Sequence, residues 1–378
     1  MRKVAVVFGG RSCENEISIL TGVFVLNLLD REKYIPVPVY IHTDGGIYTS
    51  PRMTDLEVFK DRKRACFDRA FLSEGYLRVL NGKKNKIKRV EKIDAAINCC
   101  HGGLGEGGGV SALMEWNKIP LASPDLASSG VFMDKCLTKT VLQGLGVPIV
   151  DYIRVNEEDY EKRGAFLLKR IETRLKYPVV VKPAHLGSSI GISVARNETE
   201  VKTAIETAFR LDYRVLIERY LEKKQDINCA AYSLNGQIYV SEPETAFGEG
   251  VYSFEDKYIK RASDGVLRKG ETSPKKEKRS ALSKEIREKI RAYTRTVYKR
   301  MNLNGVVRMD FLASEGEVYL CEVNTVPGSL AYYLFCERMT DARNFFSDLI
   351  EEAVRQSVKR EKKIIKTGIL HTAVHSRK

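Results

Sequence analysis

Long apolar runs are missing from this 378-residue chain. No stretch reaches the roughly 20 residues that a membrane-spanning helix needs. The opening "MRKVAVVFGG" goes straight into a strand and turn without the pattern of a cleaved leader, so a cytoplasmic setting is expected and no membrane partner. Metal-type cysteine pairs are lacking too. None of the eight cysteines forms a CxxC pair, and Cys99, Cys100, Cys229 and Cys321 lie inside apolar, strand-like runs, which points to buried thiols rather than disulfides or zinc ligands. His371 and His375 of "HTAVH" stand four apart, but in a polar tail and with no acidic partner, and are not read as ligands. There is no internal repeat and no Walker A loop. Acidic residues are in deficit: 49 Asp and Glu against 63 Lys and Arg leave a net charge of +14. That excess raises nucleic acid as a partner. It is spread, however, over helices that also carry acids, such as "KKEKRSALSKEIREKIRAYTRTVYKR", and over the late stretch "VKREKKIIK". Aromatics are not interleaved with the basic runs as a single-strand stacking platform requires, so no nucleic acid is expected.

What is present is a globular composition, 43% hydrophobic and 30% charged, long enough for roughly two or three domains. Residues 1–124 alternate strand and helix: "KVAVVFGG", a helix over "ENEISILTGVFVLNLLD", then "YIPVPVYIH", "IDAAINCCHGG" and a helix over "GVSALMEWNKI". Such alternation predicts an α/β unit with a parallel, doubly wound sheet, whose ligands sit at the carboxyl ends of the strands, where "FGGRSCENE" and "CHGGLGEGGG" fall. In residues 125–222, "SPDLASSGVFMDKCLTKTVLQGLG" reads as one helix, followed by "YPVVVKPAHLGSSIGISVARN", a helix over "ETEVKTAIETAF" and the strand "YRVLIERYL". Residues 223–362 hold the strands "INCAAYSL" and "QIYVSEPE", a long polar insertion, a basic helix, a hairpin and a last helix; residues 363–378 form a basic tail.

Two stretches carry chemistry. In "VVRMDFLASEGEVYLCEVNT" two β-prone runs flank "SEGE", which suits a hairpin. A turn centred on Gly316 places Asp310 opposite Glu322 and Arg308 opposite Asn324 on one face. Like charges directly across a strand pair destabilise it. A cation between the carboxylates relieves this, and an oxygen-only ligand set suits magnesium or manganese. On the hairpin alone, a solvated outer face accounts for the charges equally well. In "VVVKPAHLGSSIGIS", Lys182 ends a β-branched run and is partly desolvated unless an anion meets it. Gly187, Ser188, Ser189 and Gly191 then supply free N–H groups and hydroxyls suited to phosphate, while a tight hairpin with a snorkelling lysine is the plainer alternative.

Taken together, "VAVVFGGRSCENEIS", "HGGLGEGG", "MDKCLTK", "YPVVVKPAHLGSSIGIS", "LIERYL", "EDKY" and "VRMDF" with "CEVNTVPG" occur in order and at the approximate spacing found in the D-alanine–D-alanine ligases of the ATP-grasp superfamily. The resemblance covers about residues 3–350. It implies a three-domain ATP-grasp fold with an N-terminal pre-ATP-grasp unit, ATP held between the central and C-terminal sheets, and an acyl phosphate made from one D-alanine and attacked by the amine of a second. It further implies two magnesium ions, one on Asp310 and Glu322 and one on Glu322 and Asn324. ATP contacts are implied for Lys135, Lys182, Ser189, Glu218, Leu221, Asp226 and Lys257. Arg308 and the Gly328 N–H resemble the pair that stabilises the oxyanion. Glu14, Ser188 and Tyr258 match the set around the first D-alanine, with His101 and Glu106 lining the same pocket. The stretch "GEGVYSFEDKYIKRASDG" resembles a closing lid, and its "DKY" argues for an amine nucleophile rather than D-lactate. Relatives are commonly homodimers.

The chain also departs from that pattern. Gly107 stands where an aspartate is common. After Gly328 a small hydroxyl residue is expected to bind the second substrate's carboxylate; Tyr333 falls there by direct counting, with Ser329 and Tyr332 nearby. Lys260, Arg261 and the basic tail have no counterpart. The expectation is a D-alanyl-D-alanine ligase, with D-serine or another amino acid as alternative second substrate, or a non-catalytic basic binding protein on the same scaffold.

Overall fold

The computed structural model describes residues 1–60, 67–82, 86–245 and 282–360. Three sheets organise them. The first is eight-stranded: β1 (Arg2–Gly9), β2 (Tyr34–Ile41), β3 (Ile47–Thr49), β4 (Asp68–Ser73), β5 (Tyr76–Leu80), β6 (Ile87–Lys92), β7 (Ala95–Asn98) and β8 (Leu121–Ala122), in the order β6-β5-β4-β3-β2-β1-β7-β8. Its β2-β1-β7-β8 half is parallel, as the strand–helix alternation predicts. The other half is an antiparallel extension through β3 to β6 that the alternation does not reveal. Helices α1 (Asn15–Leu28) and α2 (Val110–Trp116) follow strand ends, so both connecting loops open at the carboxyl edge of the parallel half.

The expected single helix over 125–144 is two, α3 (Leu126–Met133) and α4 (Lys135–Gly144). Between them Asp134 takes extended backbone (φ −92°, ψ 110°), and its carboxylate accepts from the N–H groups of Cys136 and Leu137. An aspartate at that position satisfies the orphan amides of the second helix, which makes the break favourable. The second sheet, β11-β10-β12-β9, is built from β9 (Tyr152–Asn156), β10 (Val179–Pro183), β11 (Ser193–Ala195) and β12 (Arg214–Arg219), and is antiparallel at every pairing. Helices α5 (Glu157–Leu175) and α6 (Glu198–Phe209) cover one face. On α6, Val201, Ala204, Ile205 and Ala208 recur at helical spacing and are buried against Val179, Val181 and Ile217, leaving the other sheet face for the site.

The third sheet comprises β13 (Gln225–Leu234), β14 (Gln237–Val240), β15 (Glu244–Thr245), β16 (Val307–Ser314) and β17 (Glu317–Asn324), with β13 and β16 central. Helix α7 (Lys284–Arg300) backs it, and α8 (Ala342–Arg360) packs between it and the first sheet. The largest apolar cluster joins Val4, Phe8 and Leu26 of the first unit to Val326, Leu330 and Phe346 of the last, so the two ends of the chain share one core. Among the described residues no helix is long and apolar enough to cross a membrane.

Candidate active site

The β16–β17 hairpin places Asp310 opposite Glu322 and Arg308 opposite Asn324. It reaches that register by a route other than a turn centred on Gly316. Glu315 and Gly316 both take left-handed backbone (φ 53° and 84°), the two-residue hairpin turn whose twist matches its strands, and Ser314 pairs with Glu317. Continued regularly, that register would put Cys321 opposite Asp310 and turn Glu322 to the core face. A bulge between Asp310 and Phe311 on the ladder absorbs Cys321 and returns Glu322 to the Asp310 face. The burial pattern records it, since Cys321 and Glu322 are both half-buried where strict alternation would bury one.

Around the carboxylates stand their counter-charges. Arg308 donates twice to Asp310, at 2.7 and 2.8 Å, and Asn324 Nδ2 donates to the same carboxylate at 3.1 Å. Arg308 Nη1 also lies 3.4 Å from the Tyr333 hydroxyl. Lys135, the first residue of α4, places Nζ 3.9 Å from Glu322 and donates to the Leu186 carbonyl at 2.6 Å.

The second sheet supplies a buried triad. Lys182 forms an ion pair with Glu218, which is the anion its apolar strand requires. On the other side Lys139, fully buried, reaches the same carboxylate at 2.5 Å, donates to the Val150 carbonyl at 3.1 Å and lies over the Tyr152 ring. Burial alone would raise the Glu218 pKa; the ammonium groups of Lys139 and Lys182 hold it down at about 2. The same carboxylate in turn raises the Lys182 pKa against its burial. Lys139 went unassigned in the sequence, although "MDKCLTK" sets it one helical turn beyond Lys135, on the same face.

The glycine-rich loop follows β10. Ser188 and Ser189 are left-handed (φ 52° and 60°), as is Gly191 (φ 72°), where a side chain would meet Pro183 and Leu211. The Ser188 hydroxyl donates to Glu14, which arrives from the β1–α1 loop of the first sheet. Gly187 permits this approach: a Cβ there would stand 2.8 Å from Glu14 Oε2.

His101 and Glu106 leave β7 and brace the segment after Asn324. His101 Nδ1 lies 2.7 Å from the Val326 carbonyl and Nε2 lies 2.8 Å from Thr21 Oγ1, which also accepts from the Ser329 N–H at 3.4 Å. Burial, with the Arg308 charge, lowers the His101 pKa to about 4. The ring is therefore neutral, and because a carbonyl only accepts, Nδ1 carries the proton and Nε2 accepts from Thr21. The Glu106 carboxylate accepts from the N–H groups of Gly102 at 2.8 Å and Val326 at 3.2 Å. Burial and the nearby Glu14 and Glu322 carboxylates push its pKa up to about 7, with the N–H bonds opposing. The braced segment is a tight turn over Gly328–Leu334 in which Ser329, Leu330 and Ala331 are all left-handed (φ 49°, 53° and 49°). Non-glycine residues there cost about 1–2 kcal/mol each, so packing must impose the shape. Leu330 and Ala331 are buried in the core shared with α1.

Leu221, Val150 and Leu312 form a small apolar cluster, with Tyr319 and Cys321 packed against it. Asp226 pairs with Leu312 and so lies on that cluster's sheet face, two residues before Asn228, which stands opposite Asp310. Gln225, its neighbour, takes the other face. Lys257, Tyr258, Lys260, Arg261, His371 and His375 lie outside the described residues.

As for a metal, among the described residues no group of three or more His, Cys, Asp or Glu side chains is placed to hold one. Asp310, Glu322 and Asn324 nevertheless form an oxygen-only set of two carboxylates and an amide, which fits a magnesium or manganese ion that takes its remaining ligands from water and substrate phosphates.

Residues 3–124 match the family described as D-ala D-ala ligase N-terminus and residues 141–355 that described as D-ala D-ala ligase C-terminus. The D-alanine--D-alanine ligase of Caldicellulosiruptor bescii is 33% identical over 374 residues, covering 96% of this chain and 98% of that protein. Among solved structures, the D-alanine-D-alanine ligase from Coxiella burnetii aligns with TM-score 0.76 at 24% identity, over 95% of this chain and 97% of the other. The VanG D-Ala:D-Ser ligase from Enterococcus faecalis aligns with TM-score 0.73 at 22% identity, over 94% and 99%. The family matches over both parts of the chain and a 33% identical relative aligned over 96% of it converge: the chain belongs to the D-alanine–D-alanine ligase family.

Proposed function

We infer that the protein is an ATP-dependent ligase that joins two D-alanines through an acyl phosphate, giving D-alanyl-D-alanine for peptidoglycan synthesis. The observation that carries this is that the three units meet through polar contacts of these residues: Glu14 with Ser188, Lys135 with Glu322, and, on the Glu322 hairpin, Arg308 with Asp310.

In this reading Lys135 and Lys182 act as point charges on the ATP phosphates, Lys182 exchanging Glu218 for a phosphate oxygen. Leu221 and its apolar neighbours take the adenine, Asp226 the ribose, and the Ser188–Ser189 turn the phosphates. Glu14 holds the ammonium of the first D-alanine and thereby aims its carboxylate at the phosphoryl group. Arg308 and the Gly328 N–H stabilise the oxyanion that forms when the second amine attacks. Asp310, Glu322 and Asn324 would hold two divalent cations, whose contribution is to neutralise charge on the transferring phosphoryl group. Lys257 and Tyr258 complete the proposed set.

We assign 1–124 to the first substrate, 125–222 to the phosphate loop and 223–362 to the metal site and lid. A homodimer through the first unit is proposed, supported by Leu104 and Trp116, 77% and 89% exposed on its surface; sedimentation at micromolar concentration tests it. Dependence on ATP supports action in the cytoplasm.

A second reading keeps the mechanism with D-serine or another amino acid as nucleophile. Tyr333 favours it, since its phenol contacts Arg308 where a small hydroxyl is expected. Phosphate release from magnesium–ATP with D-alanine, D-serine, D-lactate or L-alanine, together with the product mass, decides between them. A D-alanyl-D-alanine product establishes the first reading and a mixed product the second. No release with any acceptor would refute both and revive a non-catalytic binding role.

A further inference from the structure

The base of the glycine-rich loop holds a charged cluster that none of these roles uses. His185 donates its backbone N–H to Asp212 at 2.7 Å, and its Nδ1 faces the same carboxylate at 2.9 and 3.0 Å. Its Nε2 lies 3.4 Å from Asp134, the residue that breaks α3 from α4 and caps α4. Both carboxylates are nearly fully buried, with side chains 3% and 4% exposed. Arg214 also bonds Asp134, and the Tyr213 ring stacks on the imidazole at 5.0 Å with its hydroxyl 3.5 Å from Nε2. With a carboxylate at each ring nitrogen, only the imidazolium can donate to both.

The two neighbours of His185 are tied to a single residue. The Ala184 carbonyl accepts from the Lys135 N–H at 3.0 Å, and the Leu186 carbonyl accepts from Lys135 Nζ at 2.6 Å. The Ala184 N–H in turn donates to the Arg214 carbonyl at 3.0 Å. The start of α4, the end of β10 and the start of β12 are thus laced together around one ring, immediately before Gly187.

We propose that His185 is a positioning residue for the nucleotide: its cationic ring, held between Asp134 and Asp212, fixes the base of the glycine-rich loop against α4 and so sets where Lys135 and the Ser188–Ser189 turn meet the phosphates. This rests on the ATP-dependent reading above. The hydrogen bonds to Asp134 and Asp212 outweigh burial and raise the His185 pKa to about 9. A folded pKa above the ordinary value of 6.5 means that the clamp's contribution is complete below about 6.5 and is lost as pH climbs through about 9. Among the described residues the facing groups are Asp134, Asp212, Arg214 and Tyr213. Asp134 is held at about 2 and Asp212 below its usual value, and burial pushes the adjoining Cys136 thiol to about 12, so none of these three titrates in that window.

The test is equilibrium binding of a non-hydrolysable ATP analogue, magnesium adenylyl imidodiphosphate, to the full chain by calorimetry from pH 6.5 to 10. The unmodified chain is expected to bind evenly up to about pH 8.5 and then to weaken about tenfold, a coupling of ordinary size. His185→Gln should bind about tenfold more weakly at pH 7.5, with no alkaline limb, whereas His185→Lys should recover most of the affinity. Tyr213→Phe should keep the limb, assigning it to the imidazole rather than the phenol. Asp212→Asn, a second probe should the glutamine variant not fold, should move the limb to lower pH. Unchanged affinity and limb in His185→Gln, or an unmoved limb in Asp212→Asn, overturns the inference while leaving the ligase reading standing. Failure of the unmodified chain to bind the analogue at any pH overturns both.

Discussion

Replacing Lys139 with Met tests whether the charges inside the second sheet are coupled as drawn. Methionine keeps most of the apolar stem and its packing over Tyr152 but removes the ammonium 2.5 Å from Glu218 and the donor to Val150. Taking one partner from a buried pair usually costs about 3–5 kcal/mol, because the surviving charge is left uncompensated. Glu218 retains Lys182, so the lower end, about 3 kcal/mol, is expected. The assay is urea unfolding followed by far-ultraviolet circular dichroism at pH 7, repeated toward acid. The Glu218 pKa lies at about 2, below its ordinary 4.5, so its contribution is present above about 4.5 and disappears as pH falls toward 2. The variant should therefore lose its acid resistance at a higher pH than the unmodified chain. It should also raise the KM for ATP, since among the described residues Lys182 becomes the sole ion-pair partner of Glu218 and is harder to draw onto a phosphate. A loss below about 1 kcal/mol, the worth of an exposed pair, would refute the reasoning. So would a Lys139→Met/Glu218→Gln double variant whose cost is the plain sum of the singles, since residues in one network should couple.

Three further outcomes are expected. Glu322→Gln should abolish ATP turnover with an unchanged melting curve, and undiminished turnover would remove Glu322 from the proposed metal set. Tyr333→Ser should change the KM for the second substrate severalfold with the KM for ATP nearly constant; equal shifts in both would relocate that pocket. Gly187→Ala would set a methyl 2.8 Å from Glu14 Oε2 and should raise the KM for the first D-alanine severalfold by displacing that carboxylate. Full activity in that variant would show that the loop carries no positional demand there.

The opposed pair Asp310 and Glu322 was legible because residue alternation and a glycine-containing turn restrict a hairpin to few registers. Two deviations cancelled: the turn sits between Glu315 and Gly316 rather than on Gly316, and the bulge at Cys321 restores the one-residue difference. Nothing local signals that bulge, since Cys is as strand-compatible as its neighbours. The break at Asp134 was hidden because "VFMDKCL" has neither Gly nor Pro, although an aspartate before a helical run is itself a start signal. The antiparallel extension escaped because β3 is 3 residues long and β6, "IKRVEK", carries exposed charge where alternation would show. Lys139 was invisible for a different reason: periodicity counts lysine as polar, and only the fold discloses that a lysine at 0% exposure has a carboxylate waiting.

Each pair of sheets is joined by a contact that at least one proposed site residue makes. Glu14 meets Ser188 between the first and second, Lys135 meets Glu322 between the second and third, and His101 meets Val326 between the first and third. The groups that would handle substrate are therefore the same groups that set how the three units face one another. Substituting one of them alters both the chemistry at an atom and the register of a neighbouring unit. A fall in turnover alone cannot assign a role at such positions. A group acting only on the transition state lowers kcat and kcat/KM together, whereas a group holding two units in register shifts the KM of substrates it does not touch. For His101 the second pattern is expected: it braces the turn that carries Gly328 and Tyr333 through Val326 and Thr21, so His101→Ala should raise the KM for the second substrate.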